Sequence, residues 1–134
     1  MKIDKSFIDT NILLYLLSED HAKADQAEVV ISKGGIISVQ VLNEFSSVAS
    51  RKLKMTYSEI REILQTVRTV CKIMSLSSDT HELGLDIAER YGFSIYDSMI
   101  VSSALQAGCN ILYTEDMQQG QRINEQLLIT NPFL

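Results

Sequence analysis

Short apolar runs alternate with longer amphipathic segments along this chain. Five of the runs are rich in β-branched and other apolar residues and lack the two-residue alternation of a half-exposed strand, which predicts buried strands. These runs span residues 3–8, 36–39, 72–76, 110–114 and 127–130. Since helical segments separate them, we predict an α/β fold in which helices cover both faces of a parallel sheet. Right-handed crossovers would then bring the carboxyl ends of the strands to one edge.

Six segments between these strands are predicted to be helical, most of them from apolar residues spaced three and four positions apart. They cover residues 12–17, 20–32, 40–52, 56–71, 77–91 and 98–107. Local chemistry marks several of their ends. Thr56, followed three residues later by Glu59, is a capping-box pattern. Gly92 and Gly108 are expected to end the helices before them, and Asp97 is expected to open the last one.

Length and composition predict a single domain over residues 1–134, with 46% apolar residues for its core. The only proline is Pro132, and no Gly/Pro/Ser-rich run divides the chain. No stretch approaches the roughly 20 apolar residues that a membrane span needs, so we expect no membrane association. Cys71 and Cys109 lack partners at metal-binding spacing and are expected to be reduced core residues of a cytoplasmic protein.

The net charge of −5 argues against a broadly basic nucleic-acid-binding protein. It does not exclude a nucleic-acid enzyme, because acids gathered around bound cations would count toward that charge. One basic cluster follows the third predicted helix and consists of Arg51, Lys52 and Lys54. These side chains are candidates for contacts with nucleic-acid phosphates. The alternative interpretation, a short solvated charge run, is the more ordinary one.

Two acidic positions follow predicted strands directly. Asp9 comes after the first strand, and Asp116 comes after the fourth in the segment Thr114-Glu115-Asp116. In open α/β sheets, ligands bind in the crevice at the carboxyl ends of the strands. Either Glu115 or Asp116 could face that crevice, and the pattern alone does not choose between them. For the acids after the fourth strand, the alternative is an ordinary loop acid.

Two further acids lie on predicted helices. Glu44 shares a helix face with the apolar residues Val41 and Phe45, since positions three and four apart lie on one side. A salt bridge or a partly solvated edge position is the alternative for Glu44. Asp97 is in register with Ile100 and so faces the sheet. Taken alone, an N-cap at the positive end of the helix explains Asp97 better.

Several carboxylates in one crevice repel one another and take up protons unless a cation is present. Hard oxygen ligands suit Mg²⁺ or Mn²⁺, which also bind substrate phosphate. Such ions activate water and stabilise the leaving oxygen of a phosphodiester. The four acids therefore predict metal-assisted phosphodiester hydrolysis. His21 and His81 are expected at the surface and are not suited to act as a general base. This fits a mechanism in which metal-bound hydroxide replaces a side-chain base.

The same segments resemble the PIN-domain family, and within it the VapC-type toxins of toxin–antitoxin pairs. The resemblance covers essentially the whole chain and rests on segments 7–13, 39–45, 96–100 and 113–117. It implies a three-layer α/β/α fold with a central parallel sheet of about five short strands. It also implies an Mg²⁺- or Mn²⁺-dependent endoribonuclease that acts on RNA, forms a homodimer and is inhibited by an antitoxin protein.

The resemblance assigns roles to individual residues. It makes Asp9, Glu44, Asp97 and Asp116 the catalytic acids, with Asp9, Asp97 and Asp116 as metal ligands, and it favours Asp116 over Glu115. Asn11 would orient Asp9 or hold a metal-bound water, and Thr114 would hydrogen-bond within the acid cluster; helix capping and strand-end hydrogen bonding are their alternatives.

Two alternatives to a toxin stay open. One is a PIN nuclease in RNA processing or DNA repair, and the other is a PIN binding module without catalysis.

Overall fold

The computed structural model of the protein describes residues 4–134. Within that range, six strands form one sheet. They are β1 (Ser6–Ile8), β2 (Gly35–Ser38), β3 (Cys71–Met74), β4 (Ile111–Tyr113), β5 (Arg122–Ile123) and β6 (Leu127–Thr130). Their spatial order is β3-β2-β1-β4-β6-β5, and every pairing is parallel except that of β5 with β6. The predicted strand 3–8 starts at residue 3, which lies outside the described range.

Six α-helices connect these strands in the described part of the chain. They are α1 (Thr10–Leu14), α2 (His21–Ser32), α3 (Val39–Arg51), α4 (Tyr57–Val70), α5 (Ser78–Tyr91) and α6 (Ile95–Gln106). A 3₁₀ turn, Tyr15–Leu17, follows α1 directly. The predicted fold class, helices around a central and mostly parallel sheet, is confirmed. Among residues 4–134, none of these helices has the length and apolar character needed to cross a bilayer.

The strands are buried, as the absence of alternating apolar and polar positions in their sequences predicts. Phe7 and Ile8 on β1, Ile37 on β2 and Leu112 on β4 are fully inaccessible to solvent although successive strand residues point to opposite faces. A sheet that is covered on both faces buries both sets of side chains. Both cysteines are free and buried, as expected for Cys71 and Cys109.

Most predicted helix ends are confirmed by their capping contacts. Thr56 and Glu59 form a reciprocal capping box at the start of α4. Ser77 caps α5, and Gly92 ends it with the left-handed backbone (φ 75°) that a residue with a side chain adopts only at a cost. Val70, an apolar residue on the last turn of α4, is 42% exposed.

The start of α6 differs from the prediction. The helix begins at Ile95, and Ser94 is its N-cap, since the Ser94 side chain accepts a hydrogen bond from the backbone N–H of Asp97. Asp97 is therefore the third residue of the helix and not its cap. Asp97 still suits the positive helix end, because acids in the first turn favourably face the helix dipole.

Strand β5 was not predicted. It contains only two residues and pairs antiparallel with β6 through a tight connection in which Asn124 (φ 50°) and Glu125 (φ 57°) both adopt left-handed backbone. Consecutive positive φ angles are typical of the short turns that join hairpin strands. The sheet consequently has one antiparallel edge strand beside the five parallel strands that the sequence predicted.

The topology sets the place of the acids. Strand β1 lies between β2 and β4, with Phe7 in register with Ile36 on one side and with Leu112 on the other. All three strands run parallel, so their carboxyl ends share one edge of the sheet. Asp9, the start of α3 and the loop from Thr114 to Asp116 emerge together at that edge.

Candidate active site

Asp9 is the central carboxylate of this edge and is only 5% exposed. It caps α1, where its Oδ1 accepts a hydrogen bond from the backbone N–H of Thr10 at 2.7 Å. Its Oδ2 accepts a second bond from the hydroxyl of Thr114 at 3.0 Å. The two oxygens are thus fixed in direction by the first turn of a helix and by the end of the neighbouring strand β4.

Glu44 joins this group through a residue that the sequence analysis did not single out. The Thr10 hydroxyl donates a hydrogen bond to Glu44 Oε1 at 2.8 Å. Because Thr10 directly follows Asp9, this contact turns the half-buried Glu44 side chain of α3 toward the same crevice. No local pattern could reveal Thr10, since its partner lies on a different helix and 34 positions away.

Asp116 is held by Asn11. The Asn11 side-chain amide donates to Asp116 Oδ2 and to Thr114 Oγ1, both at 3.1 Å, and its Oδ1 accepts from the backbone N–H of Glu115. The sequence predicts that Asn11 orients Asp9 or holds a metal-bound water, and the structure connects Asn11 to Asp9 only indirectly. Asn11 makes no direct hydrogen bond to Asp9 and reaches it only through Thr114.

The Thr114 hydroxyl is the shared junction of the site and is fully buried. It donates to Asp9 and accepts from the Asn11 side chain and from the backbone N–H of Asp116 at 3.1 Å. One donated and two accepted bonds use the full capacity of a hydroxyl. The expected hydrogen-bonding place of Thr114 within the acid cluster is thus present in the structure.

The structure separates Glu115 from Asp116, which the sequence pattern could not do. Glu115 accepts hydrogen bonds from the Tyr15 hydroxyl and from Lys23 Nζ, the latter at 2.8 Å. The hydrogen bond from Lys23 lowers the pKa of the Glu115 carboxyl below its ordinary value. Glu115 is thus already paired, whereas Asp116 has no basic partner among residues 4–134.

Asp97 reaches the site from α6. Its side chain is half-buried, and its pKa is raised, mainly by burial and in addition by the negative charge of Asp116. The Ser94 side chain opposes this shift by hydrogen bonding to Asp97. The effect of the Asp116 charge on Asp97 connects α6 electrostatically to the loop after β4.

The electrostatics of the group are those of an uncompensated acid cluster. The pKa of Asp9 is raised from 3.8 to about 7, chiefly by burial and further by the charges of Glu44 and Asp116. Hydrogen bonds from Thr10 and Thr114 lower it only partly. Within residues 4–134 the one salt bridge, between Lys23 and Glu115, does not involve these four acids. The cluster would therefore be relieved by a cation.

The donor chemistry of the cluster fits a hard divalent cation, since every candidate ligand is a carboxylate oxygen. The geometry is not preassembled: no three Asp, Glu, His or Cys side chains of the described range 4–134 converge closely enough to hold an ion. Asp116 is exposed and Asp97 half-buried, so both side chains have room to turn toward the buried Asp9. A cation would have to draw them together.

The basic cluster Arg51, Lys52 and Lys54 does not reach the acids. All three side chains are exposed at and beyond the carboxyl end of α3. At a rise of 1.5 Å per residue, Arg51 lies roughly 10 Å further along the helix axis than Glu44. Both histidines, His21 and His81, are exposed as expected.

Comparison with known proteins places this arrangement in context. A family model described as the PIN domain matches residues 6–122 of the 134-residue chain. Among solved structures, a toxin–antitoxin complex from Klebsiella pneumoniae is similar with a TM-score of 0.71 and 20% sequence identity, covering 96% of this chain and 98% of that one. No curated protein sequence matches the chain.

Two further structures have the same fold. VapC20 of Mycobacterium tuberculosis, described as a sarcin-ricin loop cleaving toxin, has a TM-score of 0.68 and 16% identity over 84% of this chain and 92% of its own. DNA-bound VapBC from Salmonella typhimurium has a TM-score of 0.69 and 17% identity over 97% of this chain and 99% of that one. At such low identities, these similarities establish the fold alone.

Proposed function

This chain belongs to the PIN domain family, and from this premise we propose that it is a divalent-metal-dependent endoribonuclease, the toxin of a VapBC-type pair. The observation that carries the proposal is the arrangement of Asp9, Glu44, Asp97 and Asp116. Four separate elements direct these acids to one edge of the sheet. Hydrogen bonds from Thr10, Asn11 and Thr114 link three of them, and the charges of neighbouring acids add to the raised pKa of Asp9 and of Asp97. A buried carboxyl group with a raised pKa and no counter-charge is typical of a functional site.

Asp9, Asp97 and Asp116 would hold the ion, which we take to be Mg²⁺ or Mn²⁺. When bound, such an ion activates water and neutralises charge that develops on a phosphodiester. The residues of the chain supply the rest. Thr114 and Asn11 keep Asp9 and Asp116 in place, and the hydrogen bond from Thr10 to Oε1 holds the Glu44 side chain toward the same edge, where Glu44 would act as the fourth catalytic acid.

The substrate and partners follow from the same proposal. We propose RNA as the substrate, with Arg51, Lys52 and Lys54 as phosphate contacts outside the acid cluster. A cognate antitoxin would inhibit the enzyme, in keeping with the Klebsiella pneumoniae relative, whose structure is a toxin–antitoxin complex. We also propose that the protein forms a homodimer and is cytoplasmic. A single domain over residues 1–134 completes the proposal, because one sheet positions all four acids.

The alternatives differ in how far the structure supports them. A PIN nuclease outside a toxin pair would use the same four acids, and no feature of the fold favours it over a toxin. A binding module without catalysis is disfavoured, because all four acids are retained at the carboxyl edge of the sheet.

The test is cleavage of a mixed RNA pool by the wild-type protein and by Asp97→Asn, each with Mg²⁺, Mn²⁺ or EDTA. Changes beside a metal ligand cost about 10–100-fold in activity, so replacing a ligand is expected to cost at least about 100-fold. Asp86→Asn is the matched control, because Asp86 is an exposed acid on α5. Wild-type protein and control should cleave only with metal. Cleavage in EDTA, or full activity of Asp97→Asn, would refute the proposal.

A further inference from the structure

A second polar network lies on the outer side of the loop that carries Asp116. Glu115 accepts hydrogen bonds from the Tyr15 hydroxyl and from Lys23 Nζ at 2.8 Å, and Lys23 also donates to the Tyr15 hydroxyl at 3.1 Å. Tyr15 belongs to the 3₁₀ turn, Lys23 to α2 and Glu115 to the loop after β4. Three separate segments of the chain therefore meet at one carboxylate.

Two aromatic rings lie beside the Lys23 ammonium group. Lys23 Nζ lies 4.7 Å from the ring centroid of Tyr15 and 5.2 Å from that of Phe133. The two rings pack edge to face, with centroids 4.8 Å apart and planes inclined by 67°. An isolated surface ion pair contributes little. Here cation–π contacts and a second hydrogen bond, to the Tyr15 hydroxyl, fix the direction of the Lys23 side chain. Phe133 is thereby connected to the same point.

The loop after β4 is held from two sides. On the inner side, Asn11 accepts the Glu115 backbone N–H, and Thr114 accepts the Asp116 backbone N–H, each at 3.1 Å. On the outer side, Lys23 and Tyr15 hold the Glu115 side chain. With both the backbone and the side chain of Glu115 fixed, the peptide unit that leads into Asp116 has little freedom to turn.

We propose that Lys23 is a positioning residue, which anchors Glu115 with the help of Tyr15 and so sets the position at which Asp116 meets a divalent cation. This inference rests on the proposed metal-dependent function. Lys23 bonds to neither Asp9 nor Asp116 and acts on them only through Glu115. The same contact keeps Glu115 directed away from the ion, which leaves Asp116 as the acid of this loop that binds it. Outer partners of this kind tune metal affinity.

The test compares Lys23→Met with Lys33→Met. Lys33 is an exposed lysine at the carboxyl end of the same helix and makes no side-chain hydrogen bond within residues 4–134. Isothermal titration of the intact protein with Mn²⁺ is expected to show about 10-fold weaker binding for Lys23→Met and wild-type affinity for the control. RNA cleavage by Lys23→Met should recover toward the wild-type rate as Mn²⁺ is raised, since the catalytic acids are unchanged.

A purely stabilising role of Lys23 would give a different result. It would lower the Tm of Lys23→Met in EDTA while the folded protein bound Mn²⁺ with wild-type affinity, and that outcome would overturn the inference. Should Lys23→Met fail to fold, Glu115→Gln replaces it, because it removes the charge with little change in shape. Unchanged Mn²⁺ affinity of Glu115→Gln would equally overturn the inference.

The same titration separates this inference from the function on which it rests. If the wild-type protein neither binds Mn²⁺ nor cleaves RNA, both fail together. If the wild-type protein binds and cleaves while Lys23→Met and Glu115→Gln do so equally well, the proposed function stands and only the positioning role of Lys23 is refuted.

Discussion

Asp9 is the residue at which burial and charge conflict. Asp9 is 5% exposed, with two neutral hydrogen-bonding neighbours, Thr10 and Thr114. Burial, together with the charges of two acidic neighbours and no cation partner within residues 4–134, raises its pKa to about 7. Ionising a buried group without a counter-charge costs free energy in the folded state that the unfolded chain does not bear. The metal-free protein should therefore be destabilised at neutral pH by the residue on which its chemistry depends.

This conflict predicts a defined pH dependence. Between the unfolded pKa of 3.8 and the folded pKa of about 7, the folded protein binds more protons at Asp9 than the unfolded chain does. The free energy of unfolding consequently falls as pH rises through that interval, by about 4 kcal/mol in total at about 1.4 kcal/mol per pKa unit. In EDTA, the stability of Asp9→Asn relative to wild type should increase from about pH 4 to about pH 7 and then level off.

Urea unfolding at a series of pH values measures this difference directly. Groups remote from Asp9 contribute equally in both proteins and cancel in the comparison. Asp86→Asn, at an exposed position of α5, should show no such trend. A stability difference between Asp9→Asn and wild type that stays flat from pH 4 to pH 7 would contradict the uncompensated burial of Asp9.

At the residue scale, the acids could be predicted from the sequence more readily than their partners. Asp9 and Asp116 follow strands, and Glu44 lies beside an apolar stripe, all of which are local patterns. Thr10 with Glu44, and Lys23 with Glu115, are 34 and 92 positions apart. Only the fold brings such pairs together, so their spacing along the chain does not predict these contacts.

The start of α6 is the element on which Asp97 depends. Ser94 accepts a hydrogen bond from the backbone N–H of Asp97, and its hydroxyl also opposes the rise in the pKa of the Asp97 carboxyl. One side chain thus both begins the helix and acts on an acid of the site. The cap of α5, Ser77, makes the same kind of contact with the backbone N–H of Thr80 but touches none of the four acids.

These two caps form a matched pair of variants. Ser94→Ala and Ser77→Ala should each lower the free energy of unfolding by about 1 kcal/mol, the usual cost of losing a serine N-cap. Only Ser94→Ala should also weaken Mn²⁺ binding, because it alone releases the Asp97 side chain. Urea unfolding and Mn²⁺ titration of both variants measure this. Equal Mn²⁺ affinities for the two would contradict the orienting role of Ser94.

Elements with strong local chemistry could be predicted from the sequence. The capping box of Thr56 and Glu59 and the glycine that ends α5 depend on neighbouring residues alone, and both are confirmed. Strand β5 could not be predicted, since Arg122 and Ile123 form neither a periodic pattern nor a run. The sequence predicts the helix start at Asp97 and not at Ser94, because aspartate and serine are both good N-caps and residue type alone does not rank Ser94 above Asp97.

On the scale of the whole molecule, the parallel sheet explains why distant acids converge. Strand β1 lies between β2 and β4, so the segments that follow these three strands leave the same edge. The alternation of buried runs with helices predicted that topology. That alternation could not predict that hydrogen bonds and charge connect the acids although their carboxylates do not yet converge closely enough to hold an ion. Such detail depends on the exact positions of the side chains.

The central claim is that these acids hold a divalent cation, and anomalous diffraction from crystals soaked in Mn²⁺ tests it most directly. We predict an anomalous peak bounded by carboxylates of Asp9, Asp97 and Asp116, with Asp116 drawn inward and Glu115 still paired to Lys23. Crystals of Asp9→Asn should lack that peak under the same soak. A well-ordered wild-type crystal at saturating Mn²⁺ with no peak at this edge, or with the ion on Glu115 in place of Asp116, would contradict the account.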